Sequence, residues 1–210
     1  MGASAPPNVL IANRGEIAIR IASAAADLGL GTVAVYPRDD AESLHVVRAD
    51  RAHLLPGRGA TAYLDVEAIV AAAIETGCTQ VHPGYGFLSE RAELSRACAD
   101  AGLTFIGPPP PVLELLGDKT TARRLAAQTG VPVLEGSPGP VTVEQARGFL
   151  YEHGPIMLKA TNSGGGRGIR PVAQPDELEQ AYQRCRSEAS GAFGTGQVFV
   201  ERLLERPRHI

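Results

Sequence analysis

Cysteine is scarce in this 210-residue sequence, and lysine is scarcer still. The three cysteines, Cys78, Cys98 and Cys185, are odd in number and widely spaced, and they form no C-x-x-C pair. Neither a disulfide framework nor a thiolate zinc site is supported, so they read as buried thiols or incidental surface residues. His45, His53, His82, His153 and His209 show no i, i+4 pairing, and no metal site is expected from them. No apolar run approaches the roughly 18 residues that cross a bilayer, and the N-terminus lacks a basic region followed by an apolar core. No membrane association and a cytoplasmic location are the expectation. Formal charge is only -3, which makes no electrostatic case for a nucleic-acid partner. The hydrophobic share of 44% and charged share of 20% exclude a disordered or collagen-like chain.

Of 20 basic residues, only Lys119 and Lys159 are lysine, and the rest are arginine. A lysine that resists so strong a bias suits a task needing a compact ammonium on a flexible stem. Both fall within short motifs.

The apolar stretch Val9 to Ala12 reads as a buried strand. The turn Asn13-Arg14-Gly15 then leads into a helix whose apolar residues, Ile17, Ile21, Ala24 and Leu28, recur at helical spacing. Strands follow at Thr32 to Tyr36, near Ala52 to Leu55, at Gln80 to His82 and at Thr104 to Ile106, with helices near Asp65 to Glu75 and Glu90 to Ala101. Such alternation predicts an α/β fold, a parallel sheet with helices on both faces. The run Gly107 to Pro111 breaks the rhythm. The expected division is 1–115 and 116–210. The second segment reads as α+β: helices near Val112 to Leu116, Asp118 to Thr129, Thr142 to His153 and Pro175 to Ala189, a turn at Gly136 to Pro140, and strands at Pro155 to Ala160, Gly168 to Val172 and Gln197 to Glu201.

The strand ending in Lys159 and Ala160 runs through Thr161, Asn162 and Ser163 into Gly164, Gly165, Gly166, Arg167 and Gly168. Adjacent glycines let backbone N–H groups approach an anion, which suits a phosphate cover between two strands. A plain flexible hairpin is the alternative, and the neighbouring lysine tips the balance. This is not a Walker A loop, because the lysine precedes the glycines and a strand follows. Nor is Asn13-Arg14-Gly15 a dinucleotide fingerprint. In Gly117-Asp118-Lys119-Thr120, Asp118 suits a helix cap, whereas a cation in the first turn opposes the helix dipole unless an anion is bound or the lysine is fully solvated. His82-Pro83-Gly84-Tyr85-Gly86-Phe87 ends a strand at the carboxyl edge of the sheet, where open α/β folds place ligand crevices. Taken alone, it reads better as a structural turn with Tyr85 and Phe87 packed on a neighbouring element.

Taken together, VLIANRGEIAIR, HPGYGFLSE, LGDK, LKA followed by GGGRGIR, and ERPRHI resemble biotin carboxylase, the ATP-grasp component of biotin-dependent acyl-CoA carboxylases, such as those of acetyl-CoA and propionyl-CoA, and of pyruvate carboxylase. The resemblance runs in order from about residue 8 to residue 210. It implies a Rossmann-like pre-ATP-grasp domain followed by a truncated α+β ATP-grasp lid subdomain. It also implies phosphorylation of bicarbonate by MgATP and carboxylation of biotin borne on a carrier protein or domain, for delivery to a carboxyltransferase. Carried over by position, Lys119 and Lys159 would contact ATP phosphates and Gly165 and Gly166 would lie in the lid loop. Glu201, Arg202, Leu203 and Leu204 would form the adenine-binding hinge, and His209 would approach the nucleotide. Catalytic residues and magnesium ligands are expected beyond Ile210, so the chain reads as an N-terminal part that is inactive alone. A nucleotide-binding or dimerisation module, or another ATP-grasp ligase such as a carbamoyl-phosphate synthetase, is the alternative. The resemblance implies a homodimer through the first domain, with Arg20 either contributing or lying on a solvated helix face. Asn162 and Ser163 interrupt the family's longer glycine run, and Arg91 stands where asparagine is common. The last strand is expected to leave an uncovered edge.

Overall fold

The computed structural model describes residues 8–161, 168–193 and 196–208. The chain divides into two compact units, 1–114 and 115–210. In the first, β1 (Asn8–Ile11) leads to α1 (Gly15–Asp27), β2 (Gly31–Tyr36), the short α2 (Leu44–Arg48), β3 (Arg51–Leu54), α3 (Val66–Thr76), β4 (Gln80–His82), α4 (Ala92–Asp100) and β5 (Thr104–Phe105). The five strands are all parallel, in the order β3-β2-β1-β4-β5. Next comes α5 (Pro110–Gly117), which crosses the division and opens on two prolines; the first helical turn tolerates them because its N–H groups have no intrahelical acceptor. The second unit continues with α6 (Lys119–Gln128), α7 (Val143–His153), β6 (Ile156–Ala160), β7 (Ile169–Val172), α8 (Leu178–Phe193) and β8 (Val198–Arg202). Its sheet is antiparallel, in the order β7-β6-β8.

Helix α1 packs through part of the expected face, with Ile21 buried and Ile17 packed beside it, but the face turns away from Ala24 and Leu28. Ala18, Ile21, Ala22 and Ala25 are buried, whereas Ala24 is exposed and Leu28 is 75% exposed. Alanine lets a helix approach a sheet closely, so Ala18 and Ala22 share the contact with Ile17 and Ile21 against Ile11 of β1. Two 3₁₀ segments, Arg38–Asp40 and Gly59–Leu64, and helix α2 were not expected from the pattern. All three lie between β2 and α3 and end in a buried polar cluster rather than an apolar stripe. Tyr63 Oη donates to Asp40 Oδ2 at 2.9 Å, Arg14 Nη2 donates to Asp40 Oδ1 at 3.0 Å, and His45 Nε2 lies 3.4 Å from both Tyr63 Oη and the Val35 carbonyl. His45 Nδ1 is buried with no partner.

The strand order reverses at β1 and β4, and one side chain ties the two loops that leave them. Asn13 Nδ2 donates to the carbonyls of Pro83 at 2.7 Å and Tyr85 at 2.8 Å, while its Oδ1 accepts from the Arg14 N–H. Gly84 has a φ of +65°, and a Cβ there would lie 2.8 Å from Asn13 Nδ2, so this close approach requires glycine. The structural-turn reading of this segment holds for Phe87, which packs on the core 5.3 Å from the Tyr63 ring. It fails for Tyr85, which is 61% exposed and whose hydroxyl donates to Glu16. All three cysteines are buried and unpaired, and burial pushes the Cys98 and Cys185 thiols up to about 11.

In the second unit the sheet carries its apolar face against α7 and α8, where Ile156, Leu158, Val172, Leu178, Tyr182, Cys185, Val198 and Val200 form the core. The free edge expected at β8 does not exist. Residues 135–141 run along it, with Arg202 N donating to Glu135 O, Ser137 N to Val200 O and Val141 N to Val198 O. The sequence there contains Pro138 and Pro140, which cannot donate to a ladder, and this hides an edge segment from pattern reading. Thr142 then starts α7 with a reciprocal capping box to Gln145.

Replacing Asn13 with Ala removes two hydrogen bonds to carbonyls and is expected to cost about 2 kcal/mol, read by urea unfolding. Burial also pushes the imidazoles of His45 and His82 below their usual range, and His82 Nδ1 accepts from the Gly84 N–H at 3.0 Å, a bond only the neutral ring makes. The folded chain therefore refuses protons that the unfolded chain accepts below about pH 6.5, so this contribution to stability is complete above that pH and declines as pH falls through it. Urea midpoints are expected to drop between pH 7.5 and 5.5, and His45→Gln is expected to flatten that slope. Carboxylates held low, such as Asp39 by the Gly59 N–H and Asp50 by the Thr32 hydroxyl, matter only below about pH 4.

Candidate functional site

The two faces of the antiparallel sheet differ in kind. Pairing sets Lys159 opposite Phe199 and Met157 opposite Glu201, so these four share the face turned away from the α7–α8 core. Diagonal neighbours on a strand pair lie within reach of long side chains, and Lys159 Nζ donates to Glu201 Oε2. The other carboxylate oxygen, Oε1, accepts from Arg123 Nη1, which comes from α6. Arg123 Nη2 also donates to the Leu134 carbonyl at 2.5 Å.

Glu201 is 5% exposed, and a carboxylate so withdrawn from water persists only when paired. Here it has two cationic partners. The triad carries one net positive charge, and the side chains of Lys159 and Arg123 remain 27% and 19% exposed. A partly open, net cationic cluster on a sheet face has the electrostatics that suit an anion, in a chain that is acidic overall.

One strand position further on, Thr161 N donates to Gln197 O and extends the β6–β8 ladder, which puts Thr161 on the Lys159 face. Its hydroxyl is buried and makes no hydrogen bond. An orphan donor on the same strand face as an ammonium suits an oxyanion such as a phosphate oxygen. The glycine-rich segment follows directly. Gly165 and Gly166, with Asn162, Ser163, Gly164 and Arg167, lie outside the described residues. The chain returns at Gly168, whose N–H donates to Glu188 Oε2 at 3.1 Å and whose carbonyl accepts from the Ala160 N–H at 2.8 Å. Glu188 on α8 also pairs with Arg170, so the loop's exit is fixed to the sheet and to a helix.

Lys119 opens α6 directly after Asp118, which acts as the expected cap and accepts from Thr121 N at 2.8 Å and from Thr120 Oγ1 at 2.6 Å. Burial alone would raise the Asp118 carboxyl, but these bonds outweigh it and hold it below the usual carboxylate range. Arg202, exposed at the end of β8, donates from its backbone to Glu135 O and from Nη1 to Glu135 Oε2 at 3.4 Å. Leu203 N donates to Pro155 O, and Leu204 is 51% exposed. His209 is outside the described residues.

Sequence reasoning missed Arg123. The signal that could have found it is its spacing, since Lys119 and Arg123 are one turn apart on α6 and so share a helix face. Among the described residues no group of three or more His, Cys, Asp or Glu is placed to hold a metal. Among the described residues it is the triad and Thr161 that fit a bound group, and their chemistry suits a polyphosphate. No described helix is long and apolar enough to cross a membrane.

Comparison with known proteins gives the same partition of the chain. Residues 6–113 match the biotin carboxylase N-terminal domain, and residues 118–210 match the ATP binding domain of the carbamoyl-phosphate synthase L chain. The mitochondrial pyruvate carboxylase of Rattus norvegicus is 50% identical over 207 residues, which cover 96% of this chain and 18% of that protein. The chain thus spans less than a fifth of the curated relatives it matches. Among solved structures, the biotin carboxylase domain dimer of Hydrogenobacter thermophilus 2-oxoglutarate carboxylase, described as a complex with MgADP, ADP and bicarbonate, superposes with a TM-score of 0.91. It is 42% identical, and the match covers 96% of this chain and 45% of that one. The biotin carboxylase of Campylobacter jejuni, described as a complex with a β-γ-ATP ligand, gives 0.90 at 38% identity, covering 96% of this chain and 46% of that one. A parallel α/β sheet followed by an antiparallel sheet with a cationic strand-end site, matched in sequence and in fold, makes this chain a member of the biotin carboxylase family, corresponding to its N-terminal part.

Proposed function

We propose that this chain supplies the nucleotide-holding part of a biotin carboxylase, in which ATP drives the carboxylation of carrier-bound biotin by bicarbonate. The observation that carries this reading is the net cationic Lys159–Glu201–Arg123 triad at the foot of the glycine-rich segment. Its ammonium and the Thr161 hydroxyl point to a polyphosphate, and the family supplies the reaction. When bound, ATP supplies the phosphoryl group that activates bicarbonate. The work of these residues is to bind and orient the phosphates and to offset their charge at a fixed place. Lys119 takes the second phosphate contact, Gly165 and Gly166 cover the phosphates, Glu201 to Leu204 line the adenine and His209 approaches the nucleotide. Magnesium ligands and the groups that hold bicarbonate and biotin belong to residues outside this chain.

The match of the second unit to a carbamoyl-phosphate synthase ATP-binding domain reflects a shared way of holding ATP, because the first unit and the solved structures point to carboxylases. The relatives are pyruvate carboxylases, and solved neighbours include 2-oxoglutarate and long-chain acyl-CoA carboxylases. A keto acid or an acyl-CoA is the proposed final acceptor, selected by a carboxyltransferase. A homodimer through the first unit, with Arg20 at its interface, is proposed from the family. A cytoplasmic location is likewise proposed, although the rat relative is described as mitochondrial.

Substituting Lys159→Met or Lys119→Met in the full enzyme that carries these residues is expected to weaken ADP binding about tenfold to a hundredfold, the loss of one charge-assisted contact, read by calorimetry. Residues 1–210 expressed alone are expected to show no bicarbonate-dependent ATP cleavage. Measurable turnover by that chain would mean that the essential groups lie within it, and unchanged ADP affinity in both variants would overturn the assignment of the phosphate site.

A further inference from the structure

We propose that Arg123 is a positioning residue for nucleotide binding, sharing the charge of Glu201 so that Lys159 is free to transfer from that carboxylate to the incoming polyphosphate. The inference rests on the reading of Lys159 as a phosphate contact. Lys159 Nζ donates to Glu201 Oε2, so a phosphate contact by this ammonium competes with that pairing. An ammonium bound to a buried carboxylate gives up that contact at the cost of leaving a buried negative charge. Arg123 removes most of this cost. It holds the other oxygen, Oε1, so that Glu201 stays neutralised after the lysine leaves.

The surroundings are built for a fixed guanidinium. Arg123 Nη2 is anchored on the Leu134 carbonyl, immediately before the segment that runs beside β8. At Gly136 an added Cβ would lie 2.8 Å from Arg123 Nη2, 2.7 Å from Val200 O and 3.1 Å from Glu201 Cγ, so the chain is bare where the guanidinium passes. A planar fork pinned at two acceptors does not follow the ligand, whereas a lysine on a flexible stem does. The division of labour matches the two residue types. Arg123 is the stationary cation and Lys159 the mobile one.

Substitutions at Arg123 and Glu201 of the full enzyme, singly and combined, test this, with ADP affinity by calorimetry and KM and kcat for ATP as readouts. Arg123→Leu leaves Lys159 as the sole counter-charge of Glu201 and is expected to weaken ADP binding about tenfold and raise the KM for ATP similarly, with kcat at saturation changed less than about twofold. Arg123→Lys, which restores a cation without the fork, is expected to recover part of that loss. In a Glu201→Gln background there is no carboxylate to neutralise, so adding Arg123→Leu is expected to change ADP affinity by less than about threefold, which is the coupling a double-mutant cycle reads. Should Arg123→Leu fail to fold, the Arg123→Lys variant and the Glu201→Gln pair give the same decision. Unchanged ADP affinity in Arg123→Leu, or an equal loss in both backgrounds, overturns the proposal. If Lys159→Met also binds ADP normally, the underlying phosphate reading has failed; if Lys159→Met is weak and Arg123→Leu is normal, only the present inference has.

Discussion

The carboxylate of Glu201 is the group around which the second unit is organised. It is buried on a sheet face and cannot stay ionised there without partners, and an unpaired charge at such depth costs several kcal/mol. Its two oxygens recruit a lysine from the neighbouring strand and an arginine from a helix 78 residues earlier in the chain. One acidic side chain therefore ties β6, β8 and α6 together. The tie is also asymmetric, because two cations share one anion and leave one net positive charge, and one of the two, Lys159, sits on the strand that leads into the glycine-rich segment.

This arrangement gives a chain of net charge -3 a local cationic cluster of the kind the proposed phosphate site requires. The positive potential is local, made by pairing geometry rather than by an excess of basic residues. It also gives a physical sense to the scarcity of lysine. Arginine serves where a fixed, forked contact is needed, as at Arg123, Arg14 and Arg170, and lysine stands at two positions within the phosphate-directed motifs. The glycine-rich segment is anchored at both described ends, by Ala160 and Gly168 bonded to each other and by Glu188 on α8.

The first unit shows a different economy. Its central parallel strands β1 and β2 are largely apolar and buried, as both-sided burial demands, whereas the edge strand β3 carries Arg51 and His53 and is mostly exposed. Beyond the carboxyl end of β1, Asn13 joins the loops after β1 and β4, and the cluster of Arg14, Asp40, His45 and Tyr63 lies beneath. The alternation of strands and helices was legible because both periods are strong, and β4 falls on the expected residues, Gln80 to His82. The segment between β2 and α3 was not. Its 3₁₀ turns and short helix are held by a hydrogen-bonded cluster whose members are far apart in sequence and leave no periodic trace.

The sequence alone determined the order of elements, the parallel sheet followed by an α+β segment, the cap at Asp118, the two lysines and the family. All of these rest on local spacing or on contiguous motifs. Only the tertiary structure decided which face of α1 is buried, that residues 135–141 cover the β8 edge, and that Lys159 meets Glu201 and Arg123. Those outcomes depend on strand register and on helix placement, which bring together side chains separated by 42 and 78 residues. No local pattern encodes such a meeting, because the energy that fixes it, the neutralisation of a buried charge, exists only once the sheet has formed.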